Sequence, residues 1–309
     1  RKAKGLFDKV SRLQFCETNC NRLLFFGFRA KRLFRREVCE SMENTEIYVA
    51  HTLESGVEPI EMRFLPLYDC YYHRVIGYTG QGYINSVLYG TLPPAEYLPA
   101  LETDPLGADF AIRCLKNTLA ALRATKTNLF RVEYVGVLCP ISLLRDARLY
   151  DRLAAIAGRE ESTLLQKIHL EFDCTLLSME KELLKTAFSD VHAAGFRISV
   201  RGYGTPGFPM TALIDTAPDA VYLSASITAL LSDREKAAAA PAFARFAGSM
   251  DVQVIAEGVS NDGQIRELNS AECAAFLPAA FYRGAYRLSC EEKKLPRLLT
   301  EREEADGDE

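Results

Sequence analysis

Residues 167–204, KIHLEFDCTLLSMEKELLKTAFSDVHAAGFRISVRGYG, decide the fold. Residues 167–172 form a short run rich in Ile, Leu and Phe, as a strand buried on both faces requires. In residues 179–194 the apolar positions recur at helical spacing, and Gly195 follows directly as a C-terminal stop. A second short apolar run follows at 197–200. The stretch therefore reads strand, helix, strand.

The same alternation extends in both directions. Further strand candidates stand at residues 60–68, 75–83, 130–138, 220–223, 252–256 and 274–277. Amphipathic stretches occupy 109–124, with Phe110, Cys114, Leu115 and Leu119 at helical spacing, then 143–157, 225–247 and 262–270. Repeated strand–helix alternation argues for a parallel sheet with helices outside it. Eight strand candidates are enough to close a (β/α)8 barrel. An open doubly wound sheet is the alternative, but no Gly-rich strand-to-helix turn of the dinucleotide-binding kind is present. The fold class expected is α/β, a TIM-like (β/α)8 barrel over residues 56–300.

The ends of the chain are different. Over the whole 309 residues the formal charge is -4 and the sequence pI about 5.8, which gives no global signal for nucleic acid. Residues 1–37 nevertheless carry eleven Lys or Arg against Asp8, Glu17 and Glu37, and residues 301–309 carry six carboxylates against Arg302. Blocks of like charge mark solvated tails or arms rather than core. Residues 1–55 are expected to be a basic, mostly helical linker or domain remnant, and 301–309 an acidic tail. The opening residue, Arg1, is consistent with a piece of a longer protein, and an upstream membrane or sensor segment is left open. The nine cysteines show no disulfide-like spacing, so free and mostly buried thiols in a cytoplasmic setting are expected. No apolar run reaches membrane-spanning length.

In a barrel of this kind the chemistry sits at the carboxyl ends of the strands. Those ends carry Thr79, Gly80 and Gln81, then Val137, Leu138 and Cys139, then Glu171, Asp173 and Cys174. Arg201, Gly202 and Tyr203 follow, then Tyr222 and Ser224, Glu257, and Leu277. A metal-assisted phosphodiester hydrolysis needs divalent ions held by several oxygen donors. Glu171, Asp173 and Glu257 are too few for that cage, and Arg201 among them would repel the metal, so it is expected to form a salt bridge with Glu171 or Glu257. His51, His73, His169 and His192 are expected to be structural or surface residues. The GYGTPG run at 202–207 lacks the Lys and Ser/Thr of a phosphate-binding loop and is expected to be a mobile loop.

Several ordered stretches resemble the EAL domain family of cyclic di-GMP phosphodiesterases. These are MRFLPLYD at 62–69, LPPAEYLPALE at 92–102, LE at 170–171, GFRISVRGYG at 195–204 and VIAEGV at 254–259, within an overall resemblance over residues 60–288. The resemblance implies an EAL-type barrel. It also implies that the catalytic positions have changed. The Glu-Ala-Leu signature falls on Thr79, Gly80 and Gln81, and its partner Arg on Tyr83. The metal-binding Asn falls on Val137 and the paired aspartates on Arg201 and Gly202. The assisting Lys falls on Tyr222, with the neighbouring Asp on Ser224. The loop-anchoring Glu falls on Cys174, and the early and late Gln fall on Leu65 and Leu277. Only Glu171 and Glu257 keep the family's residue type, as vestiges.

Residues 20–55 also resemble the end of a GGDEF domain and its connecting helix, which implies the C-terminal part of a GGDEF-EAL tandem protein. A catalytically inactive module that works by binding another protein, with a homodimer among its assemblies, is the function these residues imply. No cofactor is expected, with Mg²⁺ or Mn²⁺ relevant only if activity is retained. The altered phosphate-side residues Tyr83 and Leu65 argue against cyclic di-GMP binding. A non-hydrolysing cyclic di-GMP receptor and a divergent phosphodiesterase are the alternatives.

Overall fold

The computed structural model of the protein describes residues 60–86, 90–124, 132–158, 160 and 162–279. The expected linker 1–55 and acidic tail 301–309, with His51 and the start of the strand candidate at 130, lie outside the described residues. Among the described residues nine strands are formed: β1 (Ile60–Asp69), β2 (Val75–Ser86), β3 (Gly90–Leu92), β4 (Tyr134–Leu138), β5 (Ile168–Asp173), β6 (Arg197–Tyr203), β7 (Ala220–Leu223), β8 (Gln253–Val259) and β9 (Ala275–Pro278). They are hydrogen-bonded in the order β1-β9-β8-β7-β6-β5-β4-β2-β3, and β1 also pairs with β2. Eight strands thus close into a barrel, and β3 extends β2 outside the ring.

The ladders from β2 through β4 and on to β9 are parallel. β1 runs antiparallel to both of its neighbours. The expectation of a wholly parallel sheet therefore fails at β1. Only residues 70–74 separate β1 from β2, and a parallel crossover needs a dozen or more. The turn between them is shaped by Asp69, whose Oδ1 accepts from the backbone N–H of Tyr71 at 2.8 Å and of Tyr72 at 2.5 Å. His73 completes the reversal in the left-handed region, at φ 53°.

The helices are α1 (Pro94–Leu101), α2 (Leu106–Ala124), α3 (Leu149–Ala157), α4 (Ser162–Leu165), α5 (Lys181–Ala193), α6 (Met210–Thr216), α7 (Ala225–Ala229), α8 (Ala239–Gly248) and α9 (Asp262–Ser270). α5 buries Leu184, Ala187, Phe188 and Val191, the helical stripe that links β5 to β6. Leu184, Phe188 and Val191 each contribute about 1.5–3 kcal/mol on burial. Gly195 then turns the chain at φ 92°, a conformation only glycine adopts freely. Two expected helices are broken. The 143–157 stretch begins as a 3-10 turn (Ile141–Arg145) and restarts as α3, because Asp146 diverts the backbone by accepting from Arg148 N–H at 2.9 Å. The 225–247 stretch divides into α7, a 3-10 turn (Leu230–Ser232) and α8, where Asp233 Oδ1 accepts from Glu235 N–H at 3.0 Å.

Four of the five described cysteines, Cys70, Cys114, Cys139 and Cys273, are buried, Cys174 is partly exposed, and all five are free thiols. Among the described residues, no helix is long and apolar enough to cross a membrane.

Candidate functional site

Side chains alternate between the two faces of a strand, so one inward residue on β5 fixes the parity of the whole ring. That residue is Glu171, fully buried in the barrel interior. The close approach of β4 makes room for it. A Cβ placed on Gly136 would lie 1.6 Å from Glu171 Oε1, so any larger side chain at 136 displaces the carboxylate.

The Glu171 carboxylate is saturated. Its Oε1 accepts from Tyr222 OH at 2.5 Å and from Tyr134 OH at 3.0 Å. Its Oε2 accepts from Thr79 Oγ1 at 2.7 Å and from Arg201 at 2.8 Å. A carboxylate offers about four lone-pair sites, and four donors occupy them. The second arm of Arg201 bonds Glu257 Oε1, and its guanidinium carbon stands 4.4 Å from the centre of the Tyr222 ring. Arg201 therefore joins both carboxylates, the pairing its position suggested.

A second polar layer lies against the first. Tyr134 OH is 2.9 Å from Ser199 Oγ, and Ser199 Oγ is 2.9 Å from His169 Nδ1. The His169 ring stacks on Tyr134, with centroids 4.1 Å apart. Burial holds the His169 imidazole down at about 3, so it is neutral. Burial, reinforced by the Glu171 charge, pushes the Tyr134 and Tyr222 hydroxyls well above the usual phenol range, so both remain donors. A charge-assisted bond is the stronger one, which assigns the Tyr134 proton to Glu171. Its oxygen then accepts from Ser199, whose own oxygen accepts from the Nδ1–H tautomer of His169.

Whether this ring suits a divalent cation follows from its donors. Glu171 has no lone pair left, Glu257 is paired with Arg201, and Thr79, Tyr222 and Leu277 nearby add no further anionic donor. Among the described residues, no group of three or more His, Cys, Asp or Glu is placed to hold a metal. A dication about 4 Å from the guanidinium would be repelled by roughly 8 kcal/mol at an effective dielectric near 20. The residues present do not fit Mg²⁺ or Mn²⁺.

The remaining positions singled out in the sequence are not all drawn into the ring. Val137 has the opposite parity to Gly136 and is buried against the outer layer, so Leu138 is the inward residue of that strand end. Leu277 is opposite Glu257 in the ladder and is buried. Asp173 is turned away to accept from Thr175 N–H at 3.0 Å as a helix cap. Cys174 is 3.9 Å from Thr205 Oγ1, and burial pushes its thiol up. Ser224 caps the start of α7 by position, with its Oγ 2.9 Å from Ser226 Oγ. Gly202 is at φ 83°.

The 202–207 loop, expected to be mobile, carries hydrogen bonds and ring contacts of its own. Thr205 Oγ1 donates to Gly202 O at 2.7 Å, and Tyr203 OH donates to Phe243 O at 2.9 Å while its ring meets Phe208 and Phe243 edge-on. His192 Nε2 is 2.8 Å from Asp219 Oδ2, well away from the mouth. Reading the strand ends did not bring in Tyr134 as a partner of Glu171, nor Ser199 and His169 behind it. The signal for them was a run of polar side chains at inward parity on β4, β5 and β6.

A closed eight-strand barrel with one reversed first strand, and with its charged residues at the strand tips, defines the class. The EAL domain sequence profile matches residues 52–277, and the chain belongs to the EAL domain family. Solved structures of similar fold include the FimX EAL domain from Pseudomonas aeruginosa bound to c-di-GMP, at 14% identity and TM-score 0.67, covering 81% of this chain and 99% of that one. The EAL enzyme Bd1971, in its cAMP and cyclic-di-GMP bound form, is similar at 17% identity and TM-score 0.65, covering 83% and 71%. The Vibrio cholerae LapD S helix-GGDEF-EAL structure, bound to c-di-GMP, is similar at 13% identity and TM-score 0.64, covering 77% of this chain. The match spans 56% of that LapD chain. No curated protein sequence matches this chain.

Proposed function

We propose that this EAL domain is a catalytically silent module that acts in cyclic di-GMP signalling through contact with another protein. One observation carries the reading: the guanidinium of Arg201 joins Glu171 and Glu257 at the strand tips. A fixed organic cation there supplies the positive charge but has no open coordination position, so it activates no water. Thr79, Tyr222 and Leu277 around it add hydroxyls and an apolar side chain in place of further anionic donors. The basic segment 1–37 and the exposed surface of the barrel are the regions left for a partner, including a second copy of the chain.

The test is hydrolysis of cyclic di-GMP by the purified chain with Mn²⁺ or Mg²⁺, together with calorimetric titration of the nucleotide. No turnover and no binding heat are expected. Metal-dependent turnover that is lost in Glu171→Gln would overturn the proposal. Binding without turnover would replace it with the receptor reading. A strictly monomeric sedimentation profile, with no protein recovered on an affinity column, would remove the protein-contact part.

A further inference from the structure

On the outside of the barrel, α5 is thirteen residues long and α6, which packs beside it, only seven. α6 stops at Thr216, where Ala217 turns the chain at φ 40°, and a cavity of about 500 Å³ lies between it and α5. Such a volume suits a small molecule. Its walls are Lys185, Phe188, Ser189, His192 and Ala193 from α5 and Thr216 from α6. Positions 185, 189 and 192 are spaced i, i+4 and i+7, so one helix face presents an ammonium, a hydroxyl and an imidazole to the same space. Among the described residues, no carboxylate lines it. We propose that this cavity is a binding site for a small phosphate monoester, remote from the strand tips.

The His192 ring is held in place for such a role. Its Nε2 is bonded to Asp219 Oδ2, and that carboxylate is itself fixed by the Ile198 N–H at 2.8 Å and by Arg197 at 2.9 Å. Nδ1 is therefore the nitrogen left for a ligand. The Ser189 hydroxyl takes no hydrogen-bond partner among the described residues. Lys185 has an exposed contact with Glu182 at 3.2 Å along the same helix, weak enough for a dianion to displace. The carboxylates Asp215 and Asp219 beside the cavity are paired, the first with Lys181 at 3.0 Å and the second with His192 and Arg197. Phe188 and Ala193 give the organic part of a ligand an apolar wall. Point-like lysine and hydroxyl donors suit a tetrahedral oxyanion, whereas a planar carboxylate favours the arginine fork. A terminal phosphate has three free oxygens. Two accept from Lys185 and Ser189, and the third shares a proton with Nδ1, carried by the imidazole or by the phosphate, whose second proton leaves near pH ~6. A diester keeps only two free oxygens and has no such proton, so it cannot satisfy all three groups.

The test is an NMR titration of the histidine ring protons of the full chain with phenyl phosphate at constant ionic strength, with His192→Gln assigning the signal. A saturable shift of the His192 signal is expected, half complete at a concentration on the order of 1 mM, while the other histidine signals stay in place. Lys185→Gln should weaken binding about tenfold and Ser189→Ala about threefold. Both side chains are exposed on the helix surface, so these chains fold as the wild type does. Dimethyl phosphate and chloride should give no saturable shift. A shift that never saturates, that is unchanged in Lys185→Gln, or that dimethyl phosphate reproduces would overturn the proposal, as would equal movement of all the histidine signals.

Discussion

On the β5–β8 side of the barrel, the interior is held by charge: Arg201 bridges Glu171 and Glu257, with hydroxyls supplied by Tyr222 and, from the adjoining β2 and β4, by Thr79 and Tyr134. On the β1–β9 side, it is held by a short ladder and a stacked Tyr68–Phe276 pair 5.8 Å apart. The charged side has a high cost of partial removal, because each member leaves a buried partner unpaired. The apolar side loses only area and packing, in proportion to the atoms removed. One ring therefore contains two regions that fail differently, and the mouth tolerates substitution only when the whole set is changed.

The largest effect should come from breaking the charge set. Arg201→Met is expected to cost about 3–5 kcal/mol in urea unfolding, because two carboxylates are stranded. The triple substitution Glu171→Gln, Arg201→Met, Glu257→Gln should recover more than half of that loss. A triple variant no more stable than the single one would show that Arg201 acts through packing rather than charge.

The next effect is in pH. His169 is neutral when folded, with a pKa near 3, and titrates near 6.5 when unfolded. Below pH 6.5 the unfolded chain takes up the proton first, so stability is full above that pH and is lost on acidification toward 3. The wild-type chain should lose about 1–2 kcal/mol between pH 6.5 and 5 relative to His169→Gln. Glu102 gives the opposite sign. Burial raises it from 4.5 to about 7 while it accepts from Ile141 N–H at 2.5 Å. The folded chain binds that proton more tightly, so stability relative to Glu102→Gln should fall as pH rises from 4.5 to 7. Two unfolding series across pH check both slopes, and equal slopes in variant and wild type would refute the assignment.

On the seam side, Phe276→Leu is expected to cost only about 1–1.5 kcal/mol, as a volume-reducing apolar change. A loss as large as that of Arg201→Met would erase the contrast between the two regions. Smallest of all, Tyr71→Ser with Tyr72→Ser, at the exposed hairpin tip, should shift stability by less than about 0.5 kcal/mol.

The fold was legible where periodicity and length carried it. Residues 167–204 announced strand, helix, glycine stop and strand, and the barrel repeats that unit. The reversal of β1 was also written in the chain, in the short 70–74 connection, but alternation alone does not reveal strand direction. The broken 225–247 helix was hidden because its alanine-rich run suits a helix locally, while the stop depends on Asp233 turning back on the backbone. At the site, Glu171, Arg201 and Glu257 were legible because each stands at a strand end. The proton chain from His169 through Ser199 and Tyr134 was not, since its members come from three strands whose relative stagger no local pattern encodes.

The missing side chain at Gly136 makes residues 136 and 171 a single heritable unit. A lineage could enlarge position 136 only after shortening position 171. The order of those two steps is thereby set, and reversing it would pass through a chain whose acid group has nowhere to sit.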